Sequence, residues 1–138
     1  MFRKILHAND GSDHAFNALS LAVQIAKQDK AELHMVSVEE IGHMPELEEA
    51  GEEPGTAASR FHKVLGRARA MAEESHLKLH THVVAGHPVK DVIELATELK
   101  VDLLVVGSSG HSALYDRMIG SRAQKILHHA PCPVLVVK

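Results

Sequence analysis

The sequence predicts one α/β domain: an open, five-stranded parallel sheet with helices on both faces. Two observations carry that reading. At 138 residues the chain fits a single domain, with enough core to fold without disulfides. Along it, short β-branched or apolar runs alternate with longer segments of helical period, the pattern left by parallel strands joined through crossover helices.

The elements follow in order. A first strand is expected near residues 3–8 and a helix near 12–28, with Ala15, Ala18, Leu19, Ala22 and Ala26 on one face. A second strand is expected near 32–38. Then come Glu39, Glu40, Glu46, Glu48, Glu49, Glu52 and Glu53 without an intervening Lys or Arg, broken by Gly42, Pro45, Gly51, Pro54 and Gly55. This reads as an exposed acidic loop at about 40–55, a mobile flap on one domain. Phe61, Val64, Leu65, Ala68 and Ala72 then mark a second helix near 56–75. The third strand, near 77–84, shows a polar, basic face in Lys78, His80 and His82, as a sheet border does. Pro88 is expected to open the third helix, which buries Val92, Ile93, Ala96 and Leu99. A fourth strand near 102–107 is followed by a fourth helix from Gly120-Ser121, burying Ile126, Leu127 and Ala130. The last strand, near 133–137, is apolar on both faces. At a sheet edge it needs a cover, and a second copy of itself is the simplest one, giving a homodimer.

Composition narrows the function. Aromatic residues make up 3% of the chain, with no Trp, and the formal charge is -3. Single-stranded nucleic-acid binding needs aromatic platforms and a basic surface, so no nucleic-acid partner is expected. No apolar run approaches the ~20 residues that span a bilayer, and the first residues do not form a signal peptide. A cytoplasmic protein with no membrane partner is expected, and the lone Cys132 fits a reducing compartment. Between two prolines, Cys132 reads as an inert buried thiol rather than a redox switch.

The informative motif is Gly107-Ser108-Ser109-Gly110-His111 through Gly120-Ser121: Gly-x2-Gly, nine residues, Gly-Ser. It follows an apolar strand and ends where a helix begins. Glycines there either only make turns or let the backbone approach a ligand closely, and the free amides of a helix start favour a phosphate. Walker and Gly-x-Gly-x-x-Gly patterns are absent. Asp10 follows the first strand, at the end where open α/β sheets bind ligands. It either touches a ribose, a base or a phosphate-bound metal, or forms an Asx turn ahead of a Ser12 helix cap. His111, inside the glycine loop, can approach a phosphate.

With its Asn9-Asp10-Gly11-Ser12 opening, its Gly107/Gly110/Gly120-Ser121 spacing and its His129-Ala130-Pro131-Cys132-Pro133-Val134-Leu135-Val136-Val137 ending, the chain resembles the universal stress proteins, in their ATP-binding branch. The resemblance implies a Rossmann-like, adenine nucleotide alpha hydrolase-like sheet in the order 3-2-1-4-5. It implies that Ala8, Asn9, Asp10 and Val38 line the nucleoside, and that Gly107, Gly110, Gly120 and Ser121 hold ribose and phosphates. The ligand would be ATP with Mg2+, and the protein a dimeric, nucleotide-responsive regulator read by a protein partner. Two residues depart from the family pattern. Arg122 replaces a small aliphatic residue and either contacts phosphate or points to solvent, and Ala123 replaces a hydroxyl.

Other readings compete. A phosphorylated receiver domain needs acidic and lysine positions that the chain lacks, and no positioned base beyond His111 supports dedicated catalysis, so turnover is at most slow ATP hydrolysis. A dimeric interaction module that binds no nucleotide is the remaining alternative. Of the twelve histidines, His80-x-His82 has metal-ligand spacing, with His87 nearby, but no Cys or carboxylate stands close in sequence. Surface histidines and no metal are the expectation there. His128-His129 at a helix C-terminus need no further role.

Overall fold

A computed structural model describes residues 1–40, 55–108 and 119–138. The acidic flap, apart from its ends, lies outside the described residues, as do Gly110 and His111.

The strands β1 (Lys4–Ala8), β2 (Glu32–Glu40), β3 (Leu79–Gly86), β4 (Leu103–Gly107) and β5 (Val134–Val137) form one sheet in the order β3-β2-β1-β4-β5. All four pairings are parallel. The helices are α1 (Asp13–Asp29), α2 (Gly55–Glu74), α3 (Lys90–Leu99) and α4 (Ser121–His129).

The period of two along the strands sorts the core into two layers. Ile5, Leu33, Met35, Leu103 and Val105 face α1 and α2, where Phe16, Leu19, Ala22 and Ala68 are buried. Leu6, Val36, Leu104 and Val106 face α3 and α4, against Val92, Ala96, Ala123 and Ile126. Alanines on α1 let that helix lie close to the sheet. Ser12 caps it, accepting a hydrogen bond from the Ala15 amide at 3.2 Å.

The structure departs from expectation in four places. β2 runs on through Glu39 and Glu40, because β3 continues to Ala85 and Gly86 and supplies their partners. The regular helix α3 begins only at Lys90, with Val89 as its N-cap, so Pro88 precedes it, in a turn closed by the Asp91 amide on the His87 carbonyl. The Asp91 carboxylate in turn accepts the His87 amide at 2.6 Å. Leu127 is 42% exposed rather than buried, since Ala123 and Ile126 already set the inward line of the short α4. Cys132 is half-buried rather than buried, and burial, then the charge of Asp102, pushes its thiol up, which disfavours the nucleophilic thiolate.

Candidate functional site

β1 and β4 are neighbours whose chains leave toward opposite faces, α1 on one and α4 on the other. Their carboxyl ends therefore open a crevice at the point where strand order reverses. A cleft of about 280 Å³ occupies it. Its lining includes Ala8, Asn9, Asp10, Val38, Gly107, Gly120, Ser121 and Arg122. Eight positions spread over four segments of sequence thus converge on one cavity.

Local hydrogen bonding shapes the β1 side. The Gly11 amide donates to Asn9 Oδ1 at 2.8 Å and the Ser12 amide to Asp10 Oδ1 at 2.9 Å, two successive Asx turns, with Gly11 at φ +87°. Asp10 makes the Asx turn, and from there it also lines the cleft. The Asn9 amide is held by the Val36 carbonyl and its own carbonyl by Ser37 Oγ, so Asn9 is fixed at 2% exposure. With Oδ1 engaged, Asn9 Nδ2 is a buried donor that has no partner among the described residues.

On the β4 side, the Ser108 amide donates to the Val137 carbonyl and the Gly120 amide to the Ser108 carbonyl, at 2.9 and 2.6 Å. These bonds tie both ends of the glycine segment to the sheet. Ser108 is fully buried, and its Oγ is a second polar atom without a partner among the described residues. Next to it α4 starts at Gly120, whose position provides no side-chain cap, leaving first-turn amides open to an anion. Arg122 does not simply point to solvent. Its guanidinium pairs with the Glu40 carboxylate at the end of β2, a contact invisible in sequence because 82 residues separate the two.

Sequence reasoning missed Ser108, which was a mere spacer in the glycine motif, and the apolar floor formed by Val36, Val92, Val106 and Ile126. Their apolar character marked them as core. Only the sheet's geometry shows that they also end at a cleft.

A shallower groove adjoins the cleft through Pro88, Ser121 and Arg122 and carries Lys90 and Lys125. No described helix is long and apolar enough to cross a membrane.

Comparison with known proteins adds an independent line. The model of the universal stress protein family matches residues 1–138. Universal stress protein YxiE of Bacillus subtilis is 34% identical, over 100% of this chain and 100% of its own. Among solved structures, universal stress protein UspA from Lactobacillus plantarum superposes with a TM-score of 0.82 at 28% identity, covering 99% of this chain and 97% of its own. A universal stress protein in complex with cAMP superposes with a TM-score of 0.76 at 25% identity, with 99% and 97% coverage.

Proposed function

The chain belongs to the universal stress protein family, and on that premise we propose that it binds an adenine nucleotide, ATP with Mg2+, in the β1/β4 cleft and acts as a dimeric regulator in the stress response. The observation that carries this reading is the pair of buried polar atoms, Asn9 Nδ2 and Ser108 Oγ, that have no partner among the described residues, beside the uncapped start of α4. Burying such atoms unpaired costs about 1–3 kcal/mol each, a penalty that a polar ligand relieves. The cAMP complex of a relative of the same fold supports an adenine nucleoside as that ligand. Ala8, Asn9, Asp10 and Val38 would hold base and ribose. Gly107, Gly110, Gly120 and Ser121 would hold phosphates, with His111 and Arg122 in reach of them. Arg122 then exchanges Glu40 for phosphate, a competition that tunes affinity by charge. Mg2+ would neutralise the phosphates, and no described residue is placed as a catalytic base.

Calorimetry with Mg-ATP, Mg2+-free ATP and cAMP tests this on the wild type and on Ser108→Ala. The variant should bind about 5–10-fold more weakly, one hydrogen bond's worth, while its melting temperature stays level or rises because an unsatisfied hydroxyl is gone. No binding by the wild type would move the reading to a nucleotide-free interaction module. Equal affinity in both would remove Ser108 from the site.

The dimer is proposed through β5. All four of its residues are only half-buried although every side chain is apolar, and one edge of the strand has no neighbour among the described residues. Antiparallel pairing with a second copy covers both. Sedimentation should give a dimer at micromolar concentration and a monomer for Val136→Lys; a wild-type monomer would refute this. Cytoplasmic location and a protein partner that reads the nucleotide state complete the proposal.

A further inference from the structure

At the opposite end of the sheet from the cleft, three histidines and a glutamate come together on the β2/β3 border. The register sets His34 beside His80 and Val36 beside His82, so the three imidazoles project on one face. His34 stacks on His80 at 4.6 Å and on His82 at 5.2 Å between ring centres. Glu32 stands two residues before His34 on the same face. Its Oε1 lies 2.7 Å from His34 Nε2 and 3.8 Å from His80 Nε2. Ligand atoms of Glu32, His34 and His80 all lie within 4.8 Å of one another, the only such group of three among the described residues.

We propose that Glu32, His34 and His80 form a binding site for a divalent transition cation of the Zn2+ type, with His82 as its supporting residue. Two imidazole nitrogens and one carboxylate are a recognised three-ligand set for such ions, leaving a fourth position to water. The ligand atoms of a tetrahedral site lie roughly 3.3 Å apart, given metal–ligand bonds of about 2.0–2.2 Å. His80 must therefore close in and His34 and Glu32 part slightly. That adjustment is feasible because His34 is the fixed member, with its side chain 6% exposed, whereas Glu32 and His80 are 45% and 34% exposed and free to swing.

His34 Nδ1 lies 2.9 Å from His82 Nε2. Such a bond to the far nitrogen is what orients a ligating imidazole. With the cation absent, His34 donates through Nε2 to Glu32 and accepts at Nδ1 from His82. On ligation the Nε2 lone pair goes to the metal, Nδ1–H donates to His82 Nε2, and the His82 proton resides on its own Nδ1. Both rings stay neutral, so the exchange releases no proton. Burial, the largest cause in each case, already holds His34 and His82 below the ordinary histidine range, which favours the neutral rings ligation needs. Lys4, the other cation acting on Glu32, sits on a flexible stem and can yield to a divalent ion. The expectation of unligated surface histidines lacked the carboxylate because it comes from the neighbouring strand, 48 residues before His80.

Zn2+ titrated into the full chain at pH 7.5 tests the proposal by calorimetry, with imidazole 15N shifts reporting which nitrogens ligate. One ion per chain should bind, with the Nε2 signals of His34 and His80 moving together and the melting temperature rising by several degrees. His80→Ala, at a half-exposed edge position, should abolish this site, and His82→Ala should weaken it by about 10–100-fold. His128→Ala, remote from it, should change nothing. Absence of Zn2+ binding, or unchanged stoichiometry and affinity in His80→Ala, would overturn it. Nucleotide binding at the other end of the sheet is a separate readout.

Discussion

Gly107→Ala should lower stability by about 2–3 kcal/mol, and Gly107→Val by more, although valine is otherwise a favourable strand residue. A Cβ on Gly107 would stand 2.9 Å from both the carbonyl carbon and the oxygen of His14, and 3.1 Å from the Ala15 amide nitrogen. These are backbone atoms in the first turn of α1, so no side chain can rotate away. The helix itself must move, and α1 carries seven buried residues, among them Phe16 and Leu19, into the core. The melting temperature should fall by about 5–10 °C. Because Ser12 and Ala15 of that turn also line the cleft, nucleotide affinity should fall with it. Thermal unfolding followed by circular dichroism decides the matter, and a change in Gly107→Ala within about 0.5 kcal/mol of wild type would show that α1 is not pinned there.

Gly107 also shows where sequence reasoning stops. The glycine spacing marked a place of close approach, but helix α1 is what approaches the missing Cβ, while the cleft lies alongside. The alternation of strands and helices was legible because each strand leaves a short apolar run and each helix a face of period 3.6. Boundaries moved by about two residues where pairing outweighed local composition, as at Glu39 and Glu40, which read as loop and are strand because β3 hydrogen-bonds to them. Eight of the ten candidate site residues meet in one cleft, since chain order fixes which strand ends are adjacent once the topology is known. Side-chain partners across strands were not legible. The Arg122–Glu40 pair joins the start of α4 to the end of β2, and the Glu32–His34–His80 group depends on the β2/β3 register, where a slip of one residue would send a strand's side chains to the other face.

Acid should destabilise the protein well above the carboxylate range, and His7 should be the main cause. His7 lies in the central strand with no exposure. Its Nδ1–H donates to the Val105 carbonyl at 2.9 Å, and Nε2 is buried without a partner among the described residues. Burial, partly offset by the Val105 bond and by Asp10, lowers its pKa from 6.5 to about 4. Between those values the unfolded chain binds a proton that the folded chain refuses, so stability rises with pH across the window and is lost as pH falls from 6.5 toward 4. At 1.36 kcal/mol per unit, the full window is worth about 3 kcal/mol, a large part of a small domain's stability. His34 and His82, also lowered, act in the same direction, whereas Asp29 and Glu32, held low by their hydrogen bonds, contribute only as pH falls through the carboxylate range. His7→Leu isolates the effect. It loses one hydrogen bond but buries a side chain of similar size and removes an unpaired nitrogen, so at pH 7.5 it should lie within about 1 kcal/mol of wild type. At pH 5 the wild type has lost about 2 kcal/mol that the variant has not, and the order of stability should favour His7→Leu. Urea unfolding at the two pH values measures this directly: parallel losses in both proteins would assign the acid sensitivity to the histidines of the β2/β3 border instead of to His7.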